Sequence, residues 1–253
     1  HVSELFKKVK PQHVIQAAAT TSGVKDIVSR PHIHVTDNAV MNSYLFKEAV
    51  EYGVEHVVFF SCTVMYQSSA KAIREVDYDS NKPIHQRYFG VANTKLYLEK
   101  MCEFYASLAK TKFTAIRHSN IYGPYDKYDF DRSHFFVATI SKVMTAKDSI
   151  SVWGTGEEER DLLHVNDLTN FVDKVLTKQK VPFRLYHCGL GLAHSVSEVV
   201  ELIINASGNM SPKILSLLVI IFPIVSPVLS AATFKKKSGF LTPRSLKKIS
   251  FNS

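Results

Sequence analysis

Three short apolar runs, separated by longer amphipathic segments, constrain the fold of this chain most strongly. The runs cover residues 13–19, 55–61 and 113–118, and each is too short to form a helix of its own. We predict that they are strands, the first of them buried on both faces. Apolar residues recur at helical spacing over residues 33–52 and 86–108, which predicts two helices between the strands. Strands that alternate with helices indicate a parallel sheet, whose ligands bind beyond the carboxyl ends of the strands.

The pattern becomes less regular after residue 120. The elements predicted there are a helix near residues 134–146 and short strands near residues 149–153 and 183–188. Ser195 and Glu198 have the spacing of a capping box, which predicts the start of a further helix. A smaller region of mixed structure is therefore expected to follow the sheet.

The positive charge of the chain is concentrated near its C-terminal end. The formal net charge is +8, but residues 202–253 hold 7 of the 31 basic residues and none of the 23 acidic ones. The rest of the chain is balanced. A nucleic-acid surface needs basic residues spread over a folded face, so the balance argues against a nucleic-acid partner.

The C-terminal end also contains a long stretch without charge. Residues 214–234 have the length of a membrane span and are flanked by lysines. Pro223 and Pro227 interrupt the stretch, which disfavours a spanning helix. We therefore favour a degenerate soluble C-terminus over a membrane-associated tail, with a shifted reading frame as the third reading.

The three cysteines, Cys62, Cys102 and Cys188, lie far apart and form no C-x-x-C pair. This spacing predicts neither a disulfide framework nor a metal site. Because the chain does not start with a signal peptide, we expect it to be cytoplasmic.

Five segments carry a more specific pattern, and they occur in one order along the chain: residues 14–23, 57–68, 90–99, 117–124 and 153–168. The fourth contains R-H-S-N-I-Y-G-P, and the fifth contains W-G-T-G followed by R-D-L-L-H-V-N-D. Together the segments resemble the extended short-chain dehydrogenases that act on nucleotide sugars, the NAD-dependent epimerase/dehydratase family. GDP-L-fucose synthase-like members are the nearest likeness.

The resemblance implies a Tyr-x-x-x-Lys pair on the long helix and a Ser or Thr at the end of the preceding strand. A spacing of four puts both side chains on one helical face, where the ammonium can bring the phenol toward a useful pKa. Lys95 occupies the lysine position, but Val91 stands where the family has tyrosine. Cys62 occupies the strand-end position, between Ser61 and Thr63. Lys95 and these three strand-end residues are the catalytic candidates.

The same resemblance implies that the cofactor is NAD or NADP and that the substrate is a nucleotide sugar. The residues that would contact the cofactor are Ala17, Ala18, Ala19, Asn38, Lys95 and His118. The residues that would contact the substrate are Asn120, His134 and Arg160. The resemblance also implies a homodimer formed through the long helices.

A dinucleotide-binding unit needs a glycine-rich loop in front of a helix, and the chain contains no G-x-G-x-x-G sequence. In the family this loop precedes the first matched segment, so we interpret the chain as N-terminally truncated. Residues 1–120 are expected to form a truncated dinucleotide-binding part, a Rossmann-like doubly wound parallel sheet without its first strands. Residues 121–207 are expected to form a substrate-binding region that returns to the sheet, and residues 208–253 a basic, apolar tail.

Three functional hypotheses follow from the resemblance and from the departures from it. The first is an oxidoreductase of the epimerase, reductase or dehydratase type that uses NAD or NADP on a GDP-sugar. The second is a catalytically inactive relative that binds a nucleotide sugar or a partner subunit, because Val91 cannot transfer a proton. The third is a binding protein tethered to a membrane through residues 214–234.

Overall fold

The fold is built from fifteen helices and strands in the part of the chain that the structure describes. The structure is a computed structural model, and it describes residues 1–20, 29–67, 69, 71–128, 133–208 and 213–218. The elements in chain order are α1 (Val2–Val9), β1 (His13–Gln16), α2 (Pro31–Glu51), β2 (His56–Ser61), α3 (Phe89–Leu108), β3 (Lys112–His118), β4 (Asn120–Tyr122), α4 (Phe135–Thr145), β5 (Ser149–Trp153), β6 (Glu159–His164), α5 (Val165–Lys178), β7 (Phe183–Cys188), β8 (Ala193–Ser195), α6 (Val196–Ser207) and β9 (Lys213–Leu218).

The central sheet has four parallel strands in the order β1-β2-β3-β7. The predicted α/β architecture with a parallel sheet is thus confirmed. The three predicted strands are present, but the prediction that the first is buried on both faces is wrong. Ile15 is 50% exposed, because β1 is an edge strand among the described residues. By contrast, β2 and β3 lie inside the sheet and are buried along most of their length.

Helices α2 and α3 pack side by side against one face of this sheet. Pro31 occupies the first turn of α2, where its missing N–H costs nothing, and Gly53 adopts a positive φ just after the helix ends. The core beneath the helices contains three phenylalanines, Phe46, Phe59 and Phe113, whose rings meet edge to face. This packing fixes α2 against β2 and β3.

The chain forms a second layer after β3. It contains a three-stranded sheet, β4-β6-β8, and a parallel pair of strands, β5-β9. Helices α4 and α6 enclose a separate apolar cluster with these strands. The predicted helices near residues 134–146 and after Ser195 are confirmed by α4 and α6.

The chain returns to the central sheet through α5 and β7. Strand β7 pairs with β3, so residues after 180 complete the sheet that the N-terminal part begins. Among the residues that the structure describes, no helix is long and apolar enough to cross a bilayer. Of the uncharged stretch over residues 214–234, only residues 214–218 lie within the described part, and they belong to β9. The expected degenerate or membrane-associated character of the tail lies outside the described residues.

Candidate active site at the carboxyl ends of the strands

The carboxyl ends of β1, β2 and β3 meet at one edge of the central sheet, because the three strands are parallel and adjacent. Residues 17–19 directly follow β1, Cys62 directly follows β2, and His118 is the last residue of β3. Ala17, Ala18 and Ala19 are all exposed, and their methyl groups leave the end of β1 open. The topology therefore brings together three segments that the sequence singled out separately.

Lys95 projects from α3 toward the end of β2. Its Nζ donates a hydrogen bond to the backbone carbonyl of Phe60 at 2.7 Å and lies 4.7 Å from the ring centre of Phe59. Burial lowers the pKa of Lys95, and the nearby Cys62 and Glu99 oppose this effect. Lys95 is thus held at the end of β2.

The three candidate residues at the end of β2 have different environments. Ser61 is 1% exposed, and its hydroxyl donates to the Glu99 carboxylate at 2.5 Å, so it faces the interior and not a ligand. Cys62 is half-buried, and burial raises the pKa of its thiol although Lys95 opposes the shift. Thr63 begins a turn in which its carbonyl accepts the N–H of Tyr66. Cys62 and Thr63 therefore remain for contact with a ligand, and Cys62 is a protonated thiol at neutral pH.

A buried ion pair lies directly behind these residues, and the sequence analysis missed it. Arg117 binds the Glu99 carboxylate with two nitrogens, Nε at 2.9 Å and Nη2 at 2.6 Å, and both side chains are buried. Burial disfavours the charge on Arg117, but the hydrogen bonds and the charge of Glu99 outweigh it and raise the pKa of the guanidinium. Glu99 lies four residues after Lys95, so helical spacing alone places it on the same face of α3. That spacing was the available signal.

Asn38 acts on the loop after β1. Its side-chain oxygen accepts the backbone N–H of Thr20 at 3.0 Å, and its amide nitrogen donates to the carbonyls of Thr20 at 2.9 Å and His34 at 2.7 Å. These bonds occupy the amide group of Asn38, which is 6% exposed. Asn38 therefore supports the loop beyond β1. Its geometry favours this role over the direct contact with the cofactor that the resemblance implies.

His118 and His134 lie near one another at the open side of this edge. The imidazole of His118 pairs with the carbonyl of Ser119 at 2.8 Å. Burial lowers the pKa of His118, the hydrogen bond with Ser119 opposes this shift, and the charge of Lys95 adds to it. His134 is exposed and precedes the first residue of α4. A neutral His118 beside a charged Lys95 is the state that this geometry favours at neutral pH.

Asn120 and Arg160 lie on the paired strands β4 and β6 of the second layer. Asn120 is exposed, and its amide donates to the carbonyl of Asp161 at 3.2 Å. Arg160 donates to the carbonyl of Glu159 at 2.9 Å. Burial lowers the pKa of Arg160, and Glu158 opposes the shift, but a guanidinium keeps its charge in proteins. The second layer thus carries a positive group beside the exposed amide of Asn120.

Asp161 is a second residue whose role the sequence analysis missed. It is 0% exposed, and its carboxylate accepts the backbone N–H groups of Leu190 at 2.9 Å and Gly191 at 2.8 Å. Burial raises the pKa of Asp161, and these two bonds oppose the shift. Asp161 therefore fixes the loop that follows β7. Asp161 is the second residue of the R-D-L-L-H-V-N-D sequence, but the sequence analysis assigned a substrate contact only to the first residue, Arg160.

This edge fits one side of a dinucleotide site. The exposed alanines after β1 leave room for a ligand beside the backbone, and Lys95 provides a donor at the next strand. The chain has no glycine-rich sequence to bind a pyrophosphate. Within the described ranges, no group of three or more His, Cys, Asp or Glu side chains could hold a metal ion.

Comparisons with known proteins agree with this geometry. The chain is 27% identical over 216 residues to GDP-L-colitose synthase of Yersinia pseudotuberculosis, covering 82% of this chain and 69% of that protein. It is 28% identical over 208 residues to GDP-L-fucose synthase of Sinorhizobium fredii, covering 79% of this chain and 64% of that one. The chain thus spans about two thirds of the length of these curated relatives.

Solved structures share the fold at lower sequence identity. A GDP-6-OMe-4-keto-L-xylo-heptose reductase from C. jejuni superposes with a TM-score of 0.83 at 18% identity, covering 97% of this chain and 83% of that chain. The model of the NAD dependent epimerase/dehydratase family matches residues 1–189, which is most of the sequence. On this match, together with the parallel sheet and the residues at its carboxyl edge, the chain belongs to the NAD dependent epimerase/dehydratase family.

Proposed function

We propose that this chain takes part in hydride transfer to or from a carbon of a GDP-linked sugar, with NAD or NADP as the cofactor. The observation that carries the proposal is the position of Lys95, whose ammonium lies at the end of β2 beside Cys62 and near His118. Membership of the family supports the cofactor. The names of the curated relatives, two synthases of GDP-sugars, support the substrate class.

The residues proposed to hold the cofactor lie at the carboxyl ends of β1 and β2. Ala17, Ala18 and Ala19 would lie against it, and Lys95 would donate to its ribose hydroxyls. Asn38 would act indirectly, by holding Thr20 in place. A bound nicotinamide would supply or accept the hydride.

The proton that accompanies hydride transfer needs a donor on the protein. Val91, at the position that carries the family's tyrosine, has no exchangeable proton. Cys62 has one, because burial keeps its thiol protonated, and Lys95 lies close enough to stabilise the thiolate once the proton has left. Thr63 is the other candidate, as a hydrogen-bond donor to the reacting oxygen.

The proposed substrate contacts are Asn120, His134 and Arg160. Arg160 supplies a fixed positive charge, which suits the diphosphate of a nucleotide sugar. Asn120 and His134 are exposed and could bind sugar hydroxyls. These three side chains come from β4, the segment before α4, and β6.

Oxidation of NADPH and of NADH in the presence of a GDP-linked 4-keto sugar tests the proposal. We expect the 253-residue protein to oxidise one of the two cofactors, and Lys95→Met to reduce kcat/KM at least about tenfold, since it removes the ammonium from the site. Lys100→Met is the matched control, because Lys100 is exposed on the same helix and pairs with Glu103. The proposal is contradicted if the wild type neither binds nor oxidises NADPH or NADH.

A second candidate is a non-catalytic relative that binds a nucleotide sugar or a partner subunit. The observation that favours it is Val91, one helical turn before Lys95. If the chain is inactive for lack of a tyrosine, Val91→Tyr should raise its turnover strongly. Asn93→Tyr, at an exposed position of the same helix, is the control for the mere addition of a phenol. Measurable wild-type turnover at a rate comparable to that of Val91→Tyr would exclude this second candidate.

A further inference from the structure

A row of buried polar side chains crosses the central sheet immediately behind the candidate active site. Ser61 of β2, Arg117 of β3 and His187 of β7 are paired in register, so they lie side by side across three strands. Each is 6% exposed or less. Glu99 reaches this row from α3, and Tyr66 reaches it from the loop after β2. We call these five residues the Glu99 cluster.

Helix α3 contacts the end of β2 through two side chains, one turn apart. Lys95 donates to the carbonyl of Phe60, and Glu99 accepts a hydrogen bond from the hydroxyl of the next residue, Ser61. The same Glu99 carboxylate accepts two hydrogen bonds from Arg117 on β3. One carboxylate therefore joins α3 to two neighbouring strands at the level of the site.

One arrangement of protons gives each hydrogen-bond donor of the cluster an acceptor. Arg117 can only donate, so the Tyr66 oxygen accepts from it. The Tyr66 hydroxyl then donates to Nε2 of His187 at 2.7 Å, which leaves this nitrogen without a proton. The other nitrogen, Nδ1, donates to the carbonyl of Ile73 at 3.2 Å. The ring is therefore neutral, and such a network favours a single packing of the elements that carry it.

We propose that Glu99 is a positioning residue, which through Arg117 and Ser61 holds α3 in the register that places Lys95 against the carbonyl of Phe60. Glu99 itself is buried behind the strand ends and does not face the open side of the site. Its effect on the chemistry is exerted through Lys95. The importance of that effect for hydride transfer rests on the proposed function, but the placement of Lys95 does not.

A purely structural ion pair would behave differently from a positioning residue. Removing Glu99 from an otherwise unchanged site takes a negative charge away from Lys95, and this lowers the pKa of the ammonium further. If Glu99 positions Lys95, its removal releases the ammonium from the Phe60 carbonyl into water. Release from the buried site raises the pKa of Lys95 toward the ordinary value of 10.5. The two roles thus predict opposite signs.

The test is a pH titration of Lys95 in Glu99→Gln by NMR of lysine labelled at Cε, using the whole chain. Lys95→Arg identifies the signal. We expect the pKa of Lys95 to be higher in Glu99→Gln than in the wild type. A lower or unchanged pKa in the folded variant would overturn the proposal.

A second variant covers the case in which Glu99→Gln does not fold. The double replacement Glu99→Met and Arg117→Met removes both charges and fills the space, a change that proteins often tolerate. The two lost charges act on Lys95 in opposite directions, so a site that is otherwise unchanged keeps the pKa of Lys95 close to its wild-type value, whereas release of the ammonium raises the pKa toward 10.5. A pKa that stays at or below the wild-type value in the folded double variant would overturn the proposal. Glu103→Gln is the matched control, since Glu103 forms an exposed ion pair on the next turn of α3 and should leave the Lys95 titration unchanged.

Cofactor affinity provides an independent measurement. If the wild type binds NADPH or NADH, Glu99→Gln should weaken the affinity about tenfold or more, while Glu103→Gln should leave it within about twofold. If the wild type binds neither cofactor, the proposed function fails, and the Lys95 titration still decides whether Glu99 is a positioning residue.

Discussion

The buried position of His56 holds its imidazole in the neutral form. The hydroxyl of Thr114 donates to Gln179 at 2.6 Å, so it accepts from Nε2 of His56 at 2.8 Å. Nδ1 of His56 then carries no proton, and no described residue provides it with a partner. Burial lowers the pKa of His56 to about 4, and the charge of Lys112 adds to the effect.

We predict that His56 makes the stability of the protein depend on pH in a defined window. Because the pKa is lower in the folded state than the ordinary 6.5, the unfolded state binds more protons between pH 6.5 and about 4. The free energy of unfolding should be fully retained above pH 6.5 and should fall by on the order of 1–2 kcal/mol as the pH drops to 4, after solvent screening is allowed for. Urea denaturation across this pH range measures it.

His56→Gln separates this effect from the titration of other groups. Glutamine keeps a hydrogen-bond donor toward Thr114 but does not titrate. The variant should lose less stability than the wild type between pH 6.5 and 4. Parallel pH profiles for the two proteins would show that His56 is not the group responsible.

Residues at a fixed sequence offset could be assigned to the candidate site from the sequence, and residues that reach it only through tertiary contacts could not. Lys95 and Cys62 were identified because each occupies a fixed offset in a matched segment. In the sequence Ser61 and its neighbour Cys62 were equivalent candidates. Successive side chains of a strand point to opposite faces, however, and the Ser61 hydroxyl donates a hydrogen bond to Glu99. The partners of His187 lie more than 100 residues away along the chain, so no local pattern could reveal them.

At the scale of elements, the strands inside the sheet were predicted well and its edge was not. An apolar run such as residues 13–19 indicates a strand, but it does not indicate how many neighbours the strand has. Only the four residues of β1 pair with β2, and one of its faces is exposed. The short strands β4, β6 and β8 were also missed, because three to six residues of mixed polarity carry no clear period.

The capping box at the start of α6 was predicted from sequence and is present. The Ser195 hydroxyl accepts the N–H of Glu198 at 3.1 Å, and the Glu198 carboxylate accepts the N–H of Ser195 at 2.9 Å. We predict that Ser195→Ala lowers the free energy of unfolding by about 1 kcal/mol, since one N–H of the first turn loses its acceptor. Ser197→Ala, within the first turn but outside the box, should change it by less than about 0.5 kcal/mol. Equal losses in the two variants, measured by urea denaturation, would contradict this role.

At the scale of the whole molecule, α2 and α3 carry apolar side chains that remain exposed among the described residues. The exposed residues on α2 are Val40 and Tyr44, and those on α3 are Tyr97, Phe104 and Leu108, all of them half exposed or more. Neighbouring residues of each set are four or seven positions apart, which places them along one face of their helix. The two stripes lie on neighbouring helices, because α2 and α3 pack side by side. A surface of this kind on a helix pair fits the homodimer that the resemblance implies.

We predict that the protein self-associates through this surface and that Phe104→Glu prevents it. In a two-fold symmetric interface, the substituted residue occurs twice, so each dimer would bury two new carboxylates without partners. Sedimentation velocity should show a dimer for the wild type and a monomer for Phe104→Glu at the same micromolar concentration. Val76→Glu is the control, because Val76 is 78% exposed in a turn remote in sequence from both helices and should leave the dimer intact. A monomeric wild type, or a dimer that persists in Phe104→Glu, would show that α2 and α3 do not form the interface.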